Sequence, residues 1–167
     1  VGKNMSNQVI KVKIKDIEQM VNLGSLVASF ATPNLVIGLN GDLGAGKTVF
    51  TKGIGKYLGI KRVINSPTFT IMKIYDTNNS NIKKLYHLDV YRLDNSDGDF
   101  ELEEYFYLDG LTVIEWSIII EDILPKDMWN IRINIINENE RLVEIEYNLD
   151  NNQLETALKE HEYEIIY

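Results

Sequence analysis

Residues 35–50 read LVIGLNGDLGAGKTVF, and few folds accommodate this segment. The run LVIGL is short, continuous and apolar, the pattern of a strand buried on both faces of a parallel sheet. Gly41, Gly46, Lys47 and Thr48 then fit G-x-x-x-x-G-K-[ST]. The glycines let the main chain wrap a phosphate with its N–H groups turned inward. A helix starting near Lys47 aims its positive end at the same point. Strand, glycine loop and helix in this order predict a phosphate site, with Lys47 on the β- and γ-phosphates and the Thr48 hydroxyl on Mg²⁺. A glycine-rich turn with a chance lysine would share these residues but not the flanking strand and helix.

The remaining pattern predicts an α/β domain of mixed strand direction spanning residues 1–167, with residues 1–8 a disordered or appended stretch and Met5 a natural start. VIKVKIK alternates as a strand over residues 9–14. Ile17, Met20, Val21, Gly24, Val27, Ala28 and Ala31 then share one helical face, with Asp16 and Gln19 spaced as a capping box and Pro33 as a stop. The helix after the loop runs over residues 47–58, ending at Gly59. TFTIMKIYD and IKKLYHLDVY read as strands joined by TNNSN. DFELEEYFY reads as a short helix and LTVIEW, residues 111–116, as another buried strand. WNIRINII and RLVEIEYNL form a hairpin around NENE, and NNQLETALKE a terminal helix. Early alternation of strands and helices followed by hairpins implies a mixed parallel and antiparallel sheet.

Composition removes several classes of function. The chain has 25 acidic and 17 basic residues, a net charge of −8. Such a surface repels a nucleic-acid backbone, so a nucleic-acid target would be reached through a partner. There is no cysteine, and the two histidines, His87 and His161, are far apart in sequence. Disulfides, thiolate sites and a histidine zinc site are therefore not expected. No apolar run approaches the length of a membrane span, and the first residues lack the apolar core of a signal peptide. The expected location is the cytoplasm.

A phosphate loop of this kind needs an acid near its metal, at the end of a neighbouring strand. Asp89 ends LYHLD and Glu115 ends LTVIE. At least one of them is expected to face the ion; a plain strand-terminal acid is the alternative for each. Ser66, Thr68 and Thr70 cluster around Pro67 in SPTFT. They read as a switch that orders around a γ-phosphate or, without the loop, as a polar proline turn. His87 reads first as a packed, hydrogen-bonded histidine, with a catalytic role as the alternative. Trp116 fits either the core or the flank of the site. Arg92 reads as the partner of a neighbouring acid, or as an electrostatic catalyst.

GDLGAGKT, SPTFT, YHLDVYRL and VIEWS occur in an order and spacing that resembles the bacterial TsaE (YjeE) family, from about Gly24 to Arg141. The resemblance implies a P-loop NTPase-like three-layer fold. It also implies an ATPase in the biosynthesis of threonylcarbamoyladenosine at position 37 of tRNAs reading ANN codons. By the same resemblance Gly44, Ala45, Gly46, Lys47, Thr48 and Val49 form the nucleotide-binding loop. Thr48 and Glu115 hold Mg²⁺, Asp89 serves hydrolysis, Ser66 to Thr70 form a switch-like segment, and Trp116 stands beside the metal acid. Arg141 falls where the family often has an arginine near the nucleotide. Two positions depart from the pattern: Met20 stands where the family usually has threonine, and Ser117 where it often has proline. The implied partner is the TsaB–TsaD heterodimer, with tRNA engaged only through the complex and no membrane.

Other functions compete with this one. A small-molecule kinase of the same fold would commonly carry an arginine-rich lid, and no such basic stretch is present. A GTPase would carry N-K-x-D and D-x-x-G, and neither occurs. A nucleotide-sensing module without turnover shares every motif.

Overall fold

The computed structural model describes residues 7–68, 70–93, 102–149 and 152–167. Its strands are β1 (Gln8–Ile14), β2 (Val36–Asn40), β3 (Met72–Asp76), β4 (Lys84–Asp89), β5 (Leu111–Glu115), β6 (Trp129–Ile135), β7 (Arg141–Tyr147) and β8 (Glu164–Ile166). Helices α1 (Ile17–Ala28), α2 (Lys47–Tyr57) and α3 (Gln153–Glu160) join them, with 3-10 turns at Leu102–Tyr107 and Ser117–Ile123. Among the described residues the eight strands form one sheet in the order β3-β4-β5-β2-β6-β7-β1-β8. The centre, β4-β5-β2-β6, is parallel; β3 at one end and β7, β1 and β8 at the other pair antiparallel. The sheet is therefore α/β and mixed, as the sequence predicts.

The central strands read as apolar runs because both of their faces are covered. On one face Ile37, Leu39, Val113, Ile131 and Ile133 pack under Leu23, Val27, Phe50 and Ile54 of α1 and α2 and Leu154 and Leu158 of α3. On the other, Val36, Tyr86, Leu88 and Ile114 meet Leu102 and Phe106 of the first 3-10 turn. Among the described residues this third layer is thin and its apolar packing lies over β4, β5 and β2. Over β6, β7 and β1 that face is polar, with the ion pairs Lys11–Glu144 at 3.8 Å and Lys13–Glu140 at 3.0 Å.

Helices α1 and α2 approach backbone to backbone. A Cβ on Gly53 would collide with the Val21 carbonyl oxygen, and one on Gly24 with that of Phe50. Helix α1 starts at the predicted cap, where Asp16 accepts from the Gln19 N–H at 2.7 Å, but the Gln19 side chain accepts from the N–H of Lys15 at 2.8 Å, one residue before the position a capping box uses. It ends at Ala28, before Pro33 is reached. Leu23 replaces Ile17 in the buried face; Ile17 is 72% exposed because it forms the wall of a cavity beside the glycine loop.

Other boundaries move for local reasons. β3 begins at Met72 rather than Thr68, because the N–H groups of Thr70 and Ile71 both turn back to donate to the Pro67 carbonyl. Ile71 sits at φ 66°, so the chain cannot be extended there. β4 begins at Lys84, because Asn79 and Thr77 side chains fold residues 77–82 into a compact turn. The helix read into residues 99–107 is a 3-10 turn from Leu102; residues 99–101 lie outside the described residues. Of the stretch 1–8, residues 1–6 lie outside them too, whereas the Asn7 amide donates to Glu146 at 2.9 Å and Gln8 opens β1.

Candidate functional site: a phosphate loop with two strand-end acids

The glycine loop joins the C-terminal end of β2 to the N-terminus of α2. Gly44 and Gly46 have φ of 78° and 116°. Gly46 caps α2 in the left-handed region, where a side chain would be strained, and the turn brings Lys47 directly into the first helical turn. The N–H groups that open α2 have no partner within the helix and point to the loop mouth. Lys47 Nζ crosses that mouth, donating to the carbonyl oxygens of Gly41 at 2.5 Å and Asp42 at 3.1 Å. It also lies 4.4 Å from the centre of the Trp116 ring. Burial holds its pKa below the usual lysine range, against the opposing pull of Glu115, Asp89 and Asp42.

The parallel register delivers both acids to the loop. Glu115 pairs with Leu39 of β2 on one side and with Asp89 of β4 on the other. Strand alternation puts Leu85, His87 and Asp89 on one face, and Leu111, Val113 and Glu115 on the same face of the next strand, under α2. Thr48 Oγ1, in the first turn of α2, is 3.5 Å from Glu115 Oε2. His87 Nε2 is 2.6 Å from the same oxygen, and both residues are buried. Asp89 Oδ1 accepts from the Tyr91 N–H at 3.0 Å, and Oδ2 accepts from Thr68 at 3.2 Å. Thr68 in turn hydrogen-bonds Ser66. The segment 66–68 is therefore fastened to Asp89, whereas the Thr70 hydroxyl turns back to its own turn, 3.5 Å from the Pro67 carbonyl.

Two further residues frame the loop. Trp116 takes φ 63°, which turns the chain sharply after β5 and lays the ring against Lys47 and Tyr91, the latter at a centroid distance of 4.7 Å. It flanks the site. Arg141, at the start of β7, donates from Nε to the Ala45 carbonyl at 2.9 Å and from Nη2 to the Gly44 carbonyl at 3.3 Å. Its guanidinium braces the outer side of the loop. Between Arg141, Val49, Gly44 and the start of α1 lies a cavity of about 540 Å³, lined also by Ile17, Met20, Glu138 and Asn139. Glu138, Asn139 and Ile17 carry no sequence signal for this position, because the β6–β7 hairpin reaches the loop only through sheet order. The link from His87 to Glu115 was legible in part, through the alternation that puts His87 on the face of Asp89.

These donors fit a magnesium ion. Mg²⁺ takes hard oxygen ligands and is held by one or two carboxylates with phosphates, not by an all-protein cage. Thr48 and Glu115 supply a hydroxyl and a carboxylate side by side. Among the described residues no group of three or more His, Asp or Glu converges as a closed metal cage. Nor, among them, is any helix long and apolar enough to cross a membrane.

A parallel sheet centre, a glycine loop capping α2 and strand-end acids beside it define a P-loop NTPase-like fold. The crystal structure of YdiB from Bacillus subtilis superposes with a TM-score of 0.73 at 36% identity, over 93% of this chain and 95% of that one. The family model described as threonylcarbamoyl adenosine biosynthesis protein TsaE matches residues 14–143. A tRNA threonylcarbamoyladenosine biosynthesis protein TsaE from Bacillus subtilis (strain 168) is 43% identical over 143 residues, covering 86% of this chain and 87% of the relative. The protein of the same name from Rickettsia felis is 40% identical over 130 residues, covering 77% and 74%. The chain belongs to the TsaE family. The match extends beyond the Gly24–Arg141 span of the four motifs, reaching into β1 and β7.

Proposed function

We propose that this protein is a Mg²⁺-dependent ATPase that serves threonylcarbamoyladenosine biosynthesis on tRNA, working with a TsaB–TsaD heterodimer that holds the tRNA. The observation that carries this reading is the convergence of Lys47, Thr48, Glu115 and Asp89 on one loop mouth, in a chain whose relatives are named for that pathway. The main-chain N–H groups of residues 44–49 would cradle the phosphates, and the Lys47 ammonium would leave its carbonyl partners for the β- and γ-phosphate oxygens, where charge grows in the transition state. Thr48 and Glu115 would hold Mg²⁺, whose chemistry there would be to offset negative charge on the phosphates. Asp89, tied to Thr68, would orient the attacking water or sense the γ-phosphate through the switch. Trp116 would cover the Lys47 side of the site. Arg141 keeps the Gly44 and Ala45 carbonyls turned outward, which supports N–H groups turned inward.

A small-molecule kinase uses the same loop and is the alternative reading. Incubation with ATP, Mg²⁺ and a panel of nucleosides and small alcohols separates the two. The ATPase reading expects the γ-phosphate to appear as inorganic phosphate; its stoichiometric appearance on an acceptor would overturn it.

A further inference from the structure

His87 is not used in the reading above, yet its ring meets one of that reading's ligands. It is fully buried, and its Nε2 lies 2.6 Å from Glu115 Oε2. Its Nδ1 is also buried and, among the described residues, has no hydrogen-bond partner. A hydrogen on Nδ1 would be a donor sealed away without an acceptor, whereas a hydrogen on Nε2 is donated to the carboxylate. The ring hydrogen therefore belongs on Nε2. The register explains the reach: His87 pairs with Val113 and Asp89 with Glu115, so Nε2 spans the diagonal between the two strands on the face under α2.

Glu115 needs such a contact. Its main chain is fixed, pairing with Leu39 of β2 and accepting from the Val90 N–H at 3.2 Å. Its side chain still has three rotatable bonds, one more than an aspartate, and a free carboxylate would sample several rotamers at the loop mouth. We infer that His87 is the positioning residue of the metal carboxylate: its Nε2–H pins Glu115 Oε2 beside Thr48 Oγ1, so that hydroxyl and carboxylate present one preformed cation site. A histidine does this without the permanent positive charge of lysine or arginine beside a cation. The inference rests on the reading of Thr48 and Glu115 as the Mg²⁺ ligands.

Two amide variants test it. In His87→Gln the amide nitrogen falls near the position of Nε2; in His87→Asn it falls near Nδ1, short of Glu115. Both bury the same polar group, so they differ in reach. The Mg²⁺ concentration for half-maximal binding of a fluorescent ATP analogue should rise about tenfold or more in His87→Asn and stay within about threefold in His87→Gln. Affinity for the analogue in EDTA should be unchanged in both. Equal Mg²⁺ requirements in the two variants, or a loss of metal-free affinity in His87→Asn, would overturn the positioning role. Glu115→Gln separates the two levels: no Mg²⁺ shift there would remove the metal reading itself, while a shift there with none in His87→Asn removes only the role of His87. A second readout needs no variant. With only two histidines in the chain, ¹⁵N NMR of the wild-type rings resolves each tautomer. The hydrogen should lie on Nε2 of His87 with and without Mg²⁺-nucleotide, and an Nε2 that carries no hydrogen would overturn the inference.

Discussion

Lys47, Glu115 and Asp89 sit within one cluster but face different partners, and their substitutions should separate. Lys47 touches main-chain carbonyls and the Trp116 ring, not the apolar core, so Lys47→Ala should leave the fold intact. Hydrolysis should fall at least about a hundredfold, the scale of losing one charge aimed at the transition state. Phosphate release by folded Lys47→Ala near the wild-type rate would contradict the assignment. Glu115 adjoins Thr48, whereas Asp89 is bonded to Thr68 and the Tyr91 N–H. Glu115→Gln should therefore raise the Mg²⁺ needed for nucleotide binding by about tenfold or more. Asp89→Asn should bind MgATP within about threefold of wild type and hydrolyse it about a hundredfold more slowly. Mg²⁺ titrations and single-turnover hydrolysis on both variants decide this; the reverse pattern would mean that the roles are exchanged.

At the scale of elements, the contact that fixes the loop relative to the rest of the fold is α1 against α2. It depends on the absence of a side chain at Gly53, whose Cβ would strike the Val21 carbonyl. Gly53→Ala gains helix propensity but forces the helices apart, so a net destabilisation of about 1–3 kcal/mol is expected. Urea denaturation measures it, and a gain in stability would contradict this packing. The glycine loop, both acids and most strands were legible in the sequence because each is set by local chemistry: apolar runs, glycine positions and strand-end carboxylates. What escaped was set by tertiary contact. The three-residue β8 has no pattern of its own and exists because β1 offers it an edge. The Ser117–Ile123 turn reads as apolar sequence without period, and it follows from the left-handed Trp116, which no composition signals. Ile17 fits the helical period but overhangs the cavity by the loop instead of the core. Arg141 was placed by resemblance; its grip on the Gly44 and Ala45 carbonyls arises only from the sheet order that sets β7 and its hairpin near the loop.

At the scale of the molecule, the proposed function divides catalysis from its regulation. At the loop mouth the structure shows the Lys47 ammonium, and Arg141 is engaged with main-chain carbonyls. P-loop enzymes without an arginine aimed at the transferring phosphate turn over slowly until a partner supplies or orders one. On the proposed reading, the segment 66–68, held to Asp89 by the Thr68 hydroxyl, is the element that a partner would rearrange. The net charge of −8 opposes tRNA binding by the lone chain. ATP turnover by the purified protein, alone and with a TsaB–TsaD pair from the same source, is the most direct test, run beside tRNA retention at physiological salt. The account predicts slow turnover alone, clear acceleration by the pair, and tRNA retained only by the assembled complex. Fast turnover alone that the pair leaves unchanged, or submicromolar tRNA binding by the lone chain, would contradict it.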